Sequence, residues 1–280
     1  MAVSNKATKI RNSVISSIVL VFFAITALIP IFLVVINSFK PKLDIMANPL
    51  AFPKAISLNN YVRCWEVANF GSGFKNSIIL SGCTVVIVLF AATLAGYALA
   101  GNRVRGTKLF MGYFMVAMTV PIQLFLFPLY YAMSALHLVG TAVPTSFIIA
   151  ARNLPFAIFL MRTFFVGIPK ELEEAARIDG SNTRQLLWNV MVPMVSPGLI
   201  TVSVIVALNS WNEYLITTTF LQGMANYTVT LLLRGMESEF NSEMGLMMAG
   251  AMIVILPILL FFLLTQRYFI DGLVSGAVKG

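Results

Sequence analysis

The chain has 280 residues, of which 59% are hydrophobic and 11% charged, with a formal charge of +8 and a mean hydropathy of +0.88. A water-soluble domain carries roughly 25% charged residues, so this composition leaves too little polar surface for one. Repeated apolar stretches of about 20 residues, enough to cross a hydrocarbon core as helices, point to an all-α membrane protein whose backbone polar groups are satisfied within each helix.

Residues 1–13 read as a tail carrying Lys6, Lys9 and Arg11. The apolar run Val14 to Asn37 is longer than a signal-peptide core of roughly 7 to 15 residues and ends without a small-residue cleavage pattern, so it is expected to remain as a first transmembrane helix. Residues 38–76 form an outer loop. Further spans are expected at Ser77 to Ala100, Leu109 to Met133, Thr141 to Phe165, Gly198 to Phe220 and Leu246 to Thr265, making a five-helix core over 77–265 followed by a tail, 266–280. Six crossings put both termini on one side. Taking that side as cytoplasmic gathers Arg103, Arg105, Lys108, Arg162, Lys170, Arg177, Arg184, Arg267 and Lys279 there with the three N-terminal cations. Fewer basic residues fall outside, chiefly in the long first loop, as the positive-inside rule expects. The same distribution, in short segments beside apolar runs, argues against a nucleic-acid partner.

Pro30, Pro121, Pro128, Pro144, Pro155 and Pro257 fall within the spans, where each removes a backbone donor and is expected to bend its helix. Ala92, Gly96 and Ala100 recur every fourth residue, a small-residue stripe that admits a close neighbouring helix. The methionines near the sixth span read as adaptable filler. Cys64 and Cys83 are too few and too differently placed for a disulfide framework or metal site, and His137 reads as a solvated loop residue.

Between the fourth and fifth spans lies Ile168-Pro-Lys-Glu-Leu-Glu-Glu-Ala-Ala-Arg-Ile-Asp-Gly180. Pro169 suits a first helical position, and Glu171, Glu173 and Glu174 complement the positive end of a helix dipole. Leu172, Ala175, Ala176 and Ile178 recur at spacings of three and four, which predicts one small, shallow apolar face. Gly180 permits a sharp change of direction. A second helix is expected near Asn182, with Gln185 completing a capping box, running toward Pro193. An amphipathic helix lying on lipid would carry Lys and Arg above bulky apolar groups, so this acidic helix with an alanine face suits a protein partner better.

Glu174-Ala175-Ala176, three residues, Gly180, nine residues, Val190, one residue and Val192-Pro193 resembles the EAA loop of binding-protein-dependent ABC import permeases, which usually have Ile and Leu at the two valine positions. Asn37-Ser-Phe-Lys-Pro, Asn59-Asn-Tyr61, Ala95-Gly-Tyr-Ala-Leu-Ala100, Phe127-Pro-Leu-Tyr130, Ser210-Trp-Asn-Glu213 and the ending Gln266 to Gly280 are similar to MalG-like permeases for sugars and polyols. The resemblance implies the type I ABC importer permease fold: six transmembrane helices with a cytoplasmic coupling helix in the loop 168–197. It implies ATPase coupling through Glu173, Glu174, Ala175, Ala176, Asp179, Gly180 and Pro193, and a tail reaching the ATPases through Gly272, Gly276 and Lys279. Implied partners are a second, MalF-like permease, two ATPase subunits, a soluble sugar-binding protein and membrane lipid. Implied too are a bacterial inner-membrane location, and ATP and Mg on the ATPases with no cofactor or metal on this subunit.

Arg152 and Glu213 are charges placed deep in the fourth and fifth spans, where each is costly by about 2.5 to 3.5 kcal/mol and needs a partner or water. With Asn153, Asn209, Trp211 and Asn212 they are expected to face the interior, pairing with each other, forming a gate or lining a sugar path. A membrane enzyme is disfavoured, since one histidine excludes a His-Glu-x-x-His zinc site and no acid/base cluster is present. The stretch Gly101 to Lys108 lacks the lysine position and preceding strand of a phosphate loop. A stand-alone channel or carrier has no need of the acidic loop.

Overall fold

The computed structural model describes the backbone of residues 2–239 and 243–277, and side chains over 14–101, 103–237 and 243–266. Among the described residues the secondary structure is helical, with no strand and one isolated bridge between Gly140 and Leu221. The helices are α1 (Ala2–Ser38), α2 (Lys42–Ala47), α3 (Asn59–Val67), α4 (Phe70–Leu99), α5 (Thr107–Thr119), α6 (Leu126–Ala135) and α7 (Ala142–Val166). They continue as α8 (Lys170–Ile178), α9 (Thr183–Gln185), α10 (Val192–Met194), α11 (Ser196–Trp211), α12 (Leu215–Phe220), α13 (Val229–Glu239) and α14 (Met244–Ala277). Four stretches are long and apolar enough to cross a membrane: Val14–Ser38, Phe70–Leu99, Ala142–Val166 and Met244–Gln266. Two bent pairs raise the number to six if each is one span.

Several boundaries differ from expectation, each for a local reason. Helix α1 starts at Ala2, so the expected tail is largely helical; no Pro or Gly interrupts that polar stretch. Helix α4 starts at Phe70 rather than Ser77, although Gly71, Gly73 and Lys75 weaken the apolar signal there. Tertiary contacts hold this early stretch of the helix. The Asn76 amide donates to the carbonyls of Ala225 and Tyr227, and Ser77 Oγ accepts from the Val229 amide at 3.0 Å. The third span breaks into two segments bent by 89° at Val120 and Pro121. Proline forces the residue before it out of the helical region, and Val120 accordingly has ψ 122°. Helical structure continues through Pro30, Pro155 and Pro257.

The chain divides into two compact units. In the first, residues 1–68 with 235–255, the segments Asn37 to Lys40 and Asn59 to Tyr61 meet. The Asn60 amide donates to the carbonyls of Ser38 and Lys40 at 2.9 Å each, and the Ser38 and Tyr61 hydroxyls lie 2.7 Å apart. Arg63 grips Glu243 with both guanidinium nitrogens. Cys64 is fully buried beside Met236, and burial pushes its thiol up to about 12, which makes it inert at neutral pH.

The second unit, residues 69–234 with 256–280, is built on α4, which packs most extensively on α7 and then on α11. The stripe of Ala92, Gly96 and Ala100 is buried, and a Cβ on Gly96 would lie 2.9 Å from Met161 Cβ and 3.0 Å from the Arg162 amide nitrogen. No flexible side-chain tip is available there to yield. Gly96→Ala is therefore expected to lower the thermal midpoint through overpacking of about 1–3 kcal/mol. Gly82→Ala, on the same helix with open space around it, should leave the midpoint unchanged or raise it. Thermal unfolding of the two variants in mild detergent checks both.

Candidate functional site

The acidic segment forms α8, preceded by Pro169 with extended backbone (ψ 135°), so that proline flanks the helix rather than occupying its first position. Its C-terminus closes by a Schellman motif. The Ser181 amide donates to the Ala176 carbonyl at 3.0 Å and the Gly180 amide to Arg177 at 3.1 Å, with Gly180 at φ +82°. A Cβ at Gly180 would meet nothing within 4 Å, so the demand for glycine is one of backbone conformation alone. Asn182 and Gln185 then form the reciprocal capping box at the start of α9, with bonds of 2.9 and 3.0 Å.

The anticipated single apolar face of α8 is divided. Ala176 turns inward to the cluster of Leu186, Leu187 and Met191, whereas Leu172, Ala175 and Ile178 are exposed, Ile178 by 86%. The acidic residues divide as well: Glu171, Glu174 and Asp179 are exposed, while Glu173 turns back into its own chain. It accepts from Arg103 on one oxygen and from Arg177 at 3.0 Å on the other. Burial opposes ionisation of Glu173, but these two guanidinium groups outweigh it and hold the carboxyl below the usual carboxylate range. An open cavity of 370 Å³ beside α8 is lined by Arg103, Lys170, Glu173, Glu174 and Arg177.

Between α9 and α10 the chain is π-helical over Leu186–Met191. Pro193 lacks the amide that would close an ordinary turn onto Asn189, and the wider turn absorbs that defect. Val190 and Val192 pack against the core, Pro193 is exposed, and beyond Val195 the chain bends by 74° into α11.

Deeper in the unit, Arg152 on α7 pairs with Glu213, which sits in the break between α11 and α12. The other Glu213 oxygen accepts from the Ile216 amide at 2.9 Å, so the carboxylate also closes the start of α12. Asn209 donates to Asn153 at 3.0 Å, and Asn153 donates to the Ile149 carbonyl. The expected fifth span is thus interrupted at a polar residue that binds across the gap. Asn212 bonds back to Leu208 of its own helix, and Trp211 is buried with its ring edge-on to Phe74.

Residues 90–271 match the family described as binding-protein-dependent transport system inner membrane component. The chain belongs to this family. It is 32% identical over 263 residues to the arabinooligosaccharides transport system permease protein AraQ of Halalkalibacterium halodurans, covering 92% of this chain and 94% of that protein. It is also 32% identical to the melibiose/raffinose/stachyose import permease protein MelC of Bacillus subtilis, over 98% of this chain and 100% of that one. A chain in the crystal structure of a bacterial ABC transporter involved in the import of the acidic polysaccharide alginate superposes with a TM-score of 0.78 at 26% identity. That likeness covers 92% of this permease and 96% of the other chain.

In this permease Gly272 and Gly276 lie on α14, so the expected tail is helical through Ala277, while Lys279 lies outside the described residues. Among the described residues no group of three or more His, Cys, Asp or Glu side chains is placed to hold a metal. His137 adopts φ +56° at the loop following α6 and has no assigned role. Sequence reasoning missed Arg103, which counted only as a loop cation; its place just beyond the last carbonyls of α4, where a cation suits the helix dipole, was the available signal.

Charge reversal tests the intramembrane pair. Arg152→Glu and Glu213→Arg should each lower the thermal midpoint by leaving a like-charge pair in a low-dielectric setting. The double reversal should recover part of the loss, the remainder reflecting the missing acceptor for the Ile216 amide. A double variant no better than either single change would reject direct pairing.

Proposed function

We propose that this permease is one half of a two-permease pathway that imports a sugar or polyol across the bacterial cytoplasmic membrane by alternating access. The relatives named for arabinooligosaccharides and for melibiose, raffinose and stachyose support the substrate class. The second half is a MalF-like subunit, substrate arrives from a soluble binding protein, and both termini of this chain are cytoplasmic. ATP and Mg belong to two separate ATPase subunits.

The observation that carries the coupling role is α8 itself. It is a short acidic helix, terminated on both sides, that turns Leu172, Ala175, Ile178 and Glu174 away from its own core. Small and medium apolar groups ringed by carboxylates fit a shallow cleft on a protein better than a lipid surface. In this reading Ala175 and Ile178 seat in the ATPase, Glu174 and Asp179 meet its polar rim, and Ala176, Gly180 and Pro193 hold the helix and its exit in shape. Nucleotide-driven closure of the ATPases displaces α8, and the differential contacts of the two states shift the opening of the pathway. Arg152 and Glu213 act as a gate or pathway wall, with Asn153 and Asn209 beside them.

In the intact complex, a photo-reactive cross-linker at Ala175→Cys is expected to capture an ATPase subunit; capture of phospholipid alone would overturn the coupling role. Gly180→Leu forces a side chain into the left-handed region and should separate ATP hydrolysis from sugar uptake. Normal uptake with normal substrate-stimulated hydrolysis in that variant counts against the assignment.

A further inference from the structure

The connection from α8 to the membrane helices along the chain is mechanically soft. It runs through a left-handed glycine, a separate capping box, a π-helical stretch and a bend of 74° before reaching α11. The π-helical stretch and the bend are places where helices flex or kink. A second connection bypasses them. Arg103 donates from Nη1 to the carbonyls of Tyr97 at 3.0 Å and Ala100 at 2.8 Å, at the end of α4, and its guanidinium lies 4.3 Å over the Tyr97 ring. Its Nη2 reaches Glu173 on α8.

We propose that Arg103 is a positioning residue, a strut that ties α8 to the end of α4 so that displacement of α8 is delivered to the α4–α7 pair as well as along the chain into α11. The proposal rests on the reading of α8 as the helix that docks on the ATPase. Three further observations support it. The α4 end is itself locked to α7, because Arg162 Nε donates to the Leu99 carbonyl at 3.0 Å and Gly96 lies against the Met161–Arg162 backbone. Both partners of the strut are largely shielded, with side-chain exposures of 26% for Arg103 and 18% for Glu173, so the pair is less weakened by solvent than an open surface bridge. The second partner of Glu173, Arg177, lies on α8 itself; it orients the carboxylate and transmits nothing outward.

Arginine is required by the geometry. One guanidinium serves two carbonyls, an aromatic face and a carboxylate at once through its planar fork, whereas a lysine ammonium on its flexible stem offers a point charge. The strut explains why Glu173 turns inward while Glu174 next to it remains free.

The test uses the complete transporter, with its ATPases and binding protein, reconstituted in proteoliposomes. In Arg103→Gln, the Ala175→Cys cross-link to the ATPase and ATP hydrolysis should persist, while sugar molecules imported per ATP fall about five- to tenfold, within the range by which single residues modulate coupling between sites. Arg103→Lys should recover part of that ratio. An unchanged ratio in Arg103→Gln overturns the strut, as does parallel loss of the cross-link and of hydrolysis, which would mean that Arg103 merely keeps the loop folded. Absence of the cross-link with Arg103 intact is a different failure: it removes the docking reading and the strut with it.

Discussion

The architecture of the larger unit depends on how closely α4 approaches α7 at Gly96. With no side chain at that position, the α4 backbone lies directly against Met161 and Arg162. That contact brings the Leu99 carbonyl within reach of Arg162 and sets the Tyr97 ring edge-on to Phe165. It also places the carbonyls of Tyr97 and Ala100, at the end of α4, where Arg103 can cap them. The Arg103 connection from α8 to the end of α4 rests on that close packing. In a bundle where lipid is as apolar as the helix surfaces, van der Waals fit of this kind replaces the hydrophobic effect as the force that joins helices.

A second constraint governs the breaks. A helix that stops within a hydrocarbon region leaves amides and carbonyls with no water to bind, so each interruption needs a polar partner from the surrounding protein. The α11–α12 break is closed by Glu213, which accepts from the Ile216 amide and balances its charge with Arg152. The start of α13 is closed by Ser77 of α4, whose hydroxyl accepts from the Val229 amide, while the Asn76 side chain binds the Ala225 and Tyr227 carbonyls just before it. The charged pair and the asparagine pair therefore have a structural duty, and any service as a gate is performed by groups already committed to holding the backbone.

The acidic segment joins a capped helix to a bent neck. Its head, α8, is capped at its C-terminus by the Schellman turn and held by Glu173, whereas the neck carries a π-helical stretch and a bend. Arg103 and Arg177 together hold the Glu173 carboxyl below the usual carboxylate range, so the contact between α8 and Arg103 stays charged at neutral pH.

The sequence alone determined the membrane class, the acidic helix with its glycine turn and capping box, and the two isolated intramembrane charges. Each of these is a local or compositional signal: hydropathy over about 20 residues, capping chemistry over a few residues, or the mere presence of an ionisable group where lipid is expected. Tertiary structure decided the rest. Which face of α8 is free depends on Leu186, Leu187 and Met191 covering Ala176, and the seven residues added to α4 depend on partners about 150 positions away. The division of labour between Glu173 and Glu174 was likewise invisible. Adjacent carboxylates on one helix are alike in sequence until the fold brings an arginine from another element, 70 residues distant, to one of them.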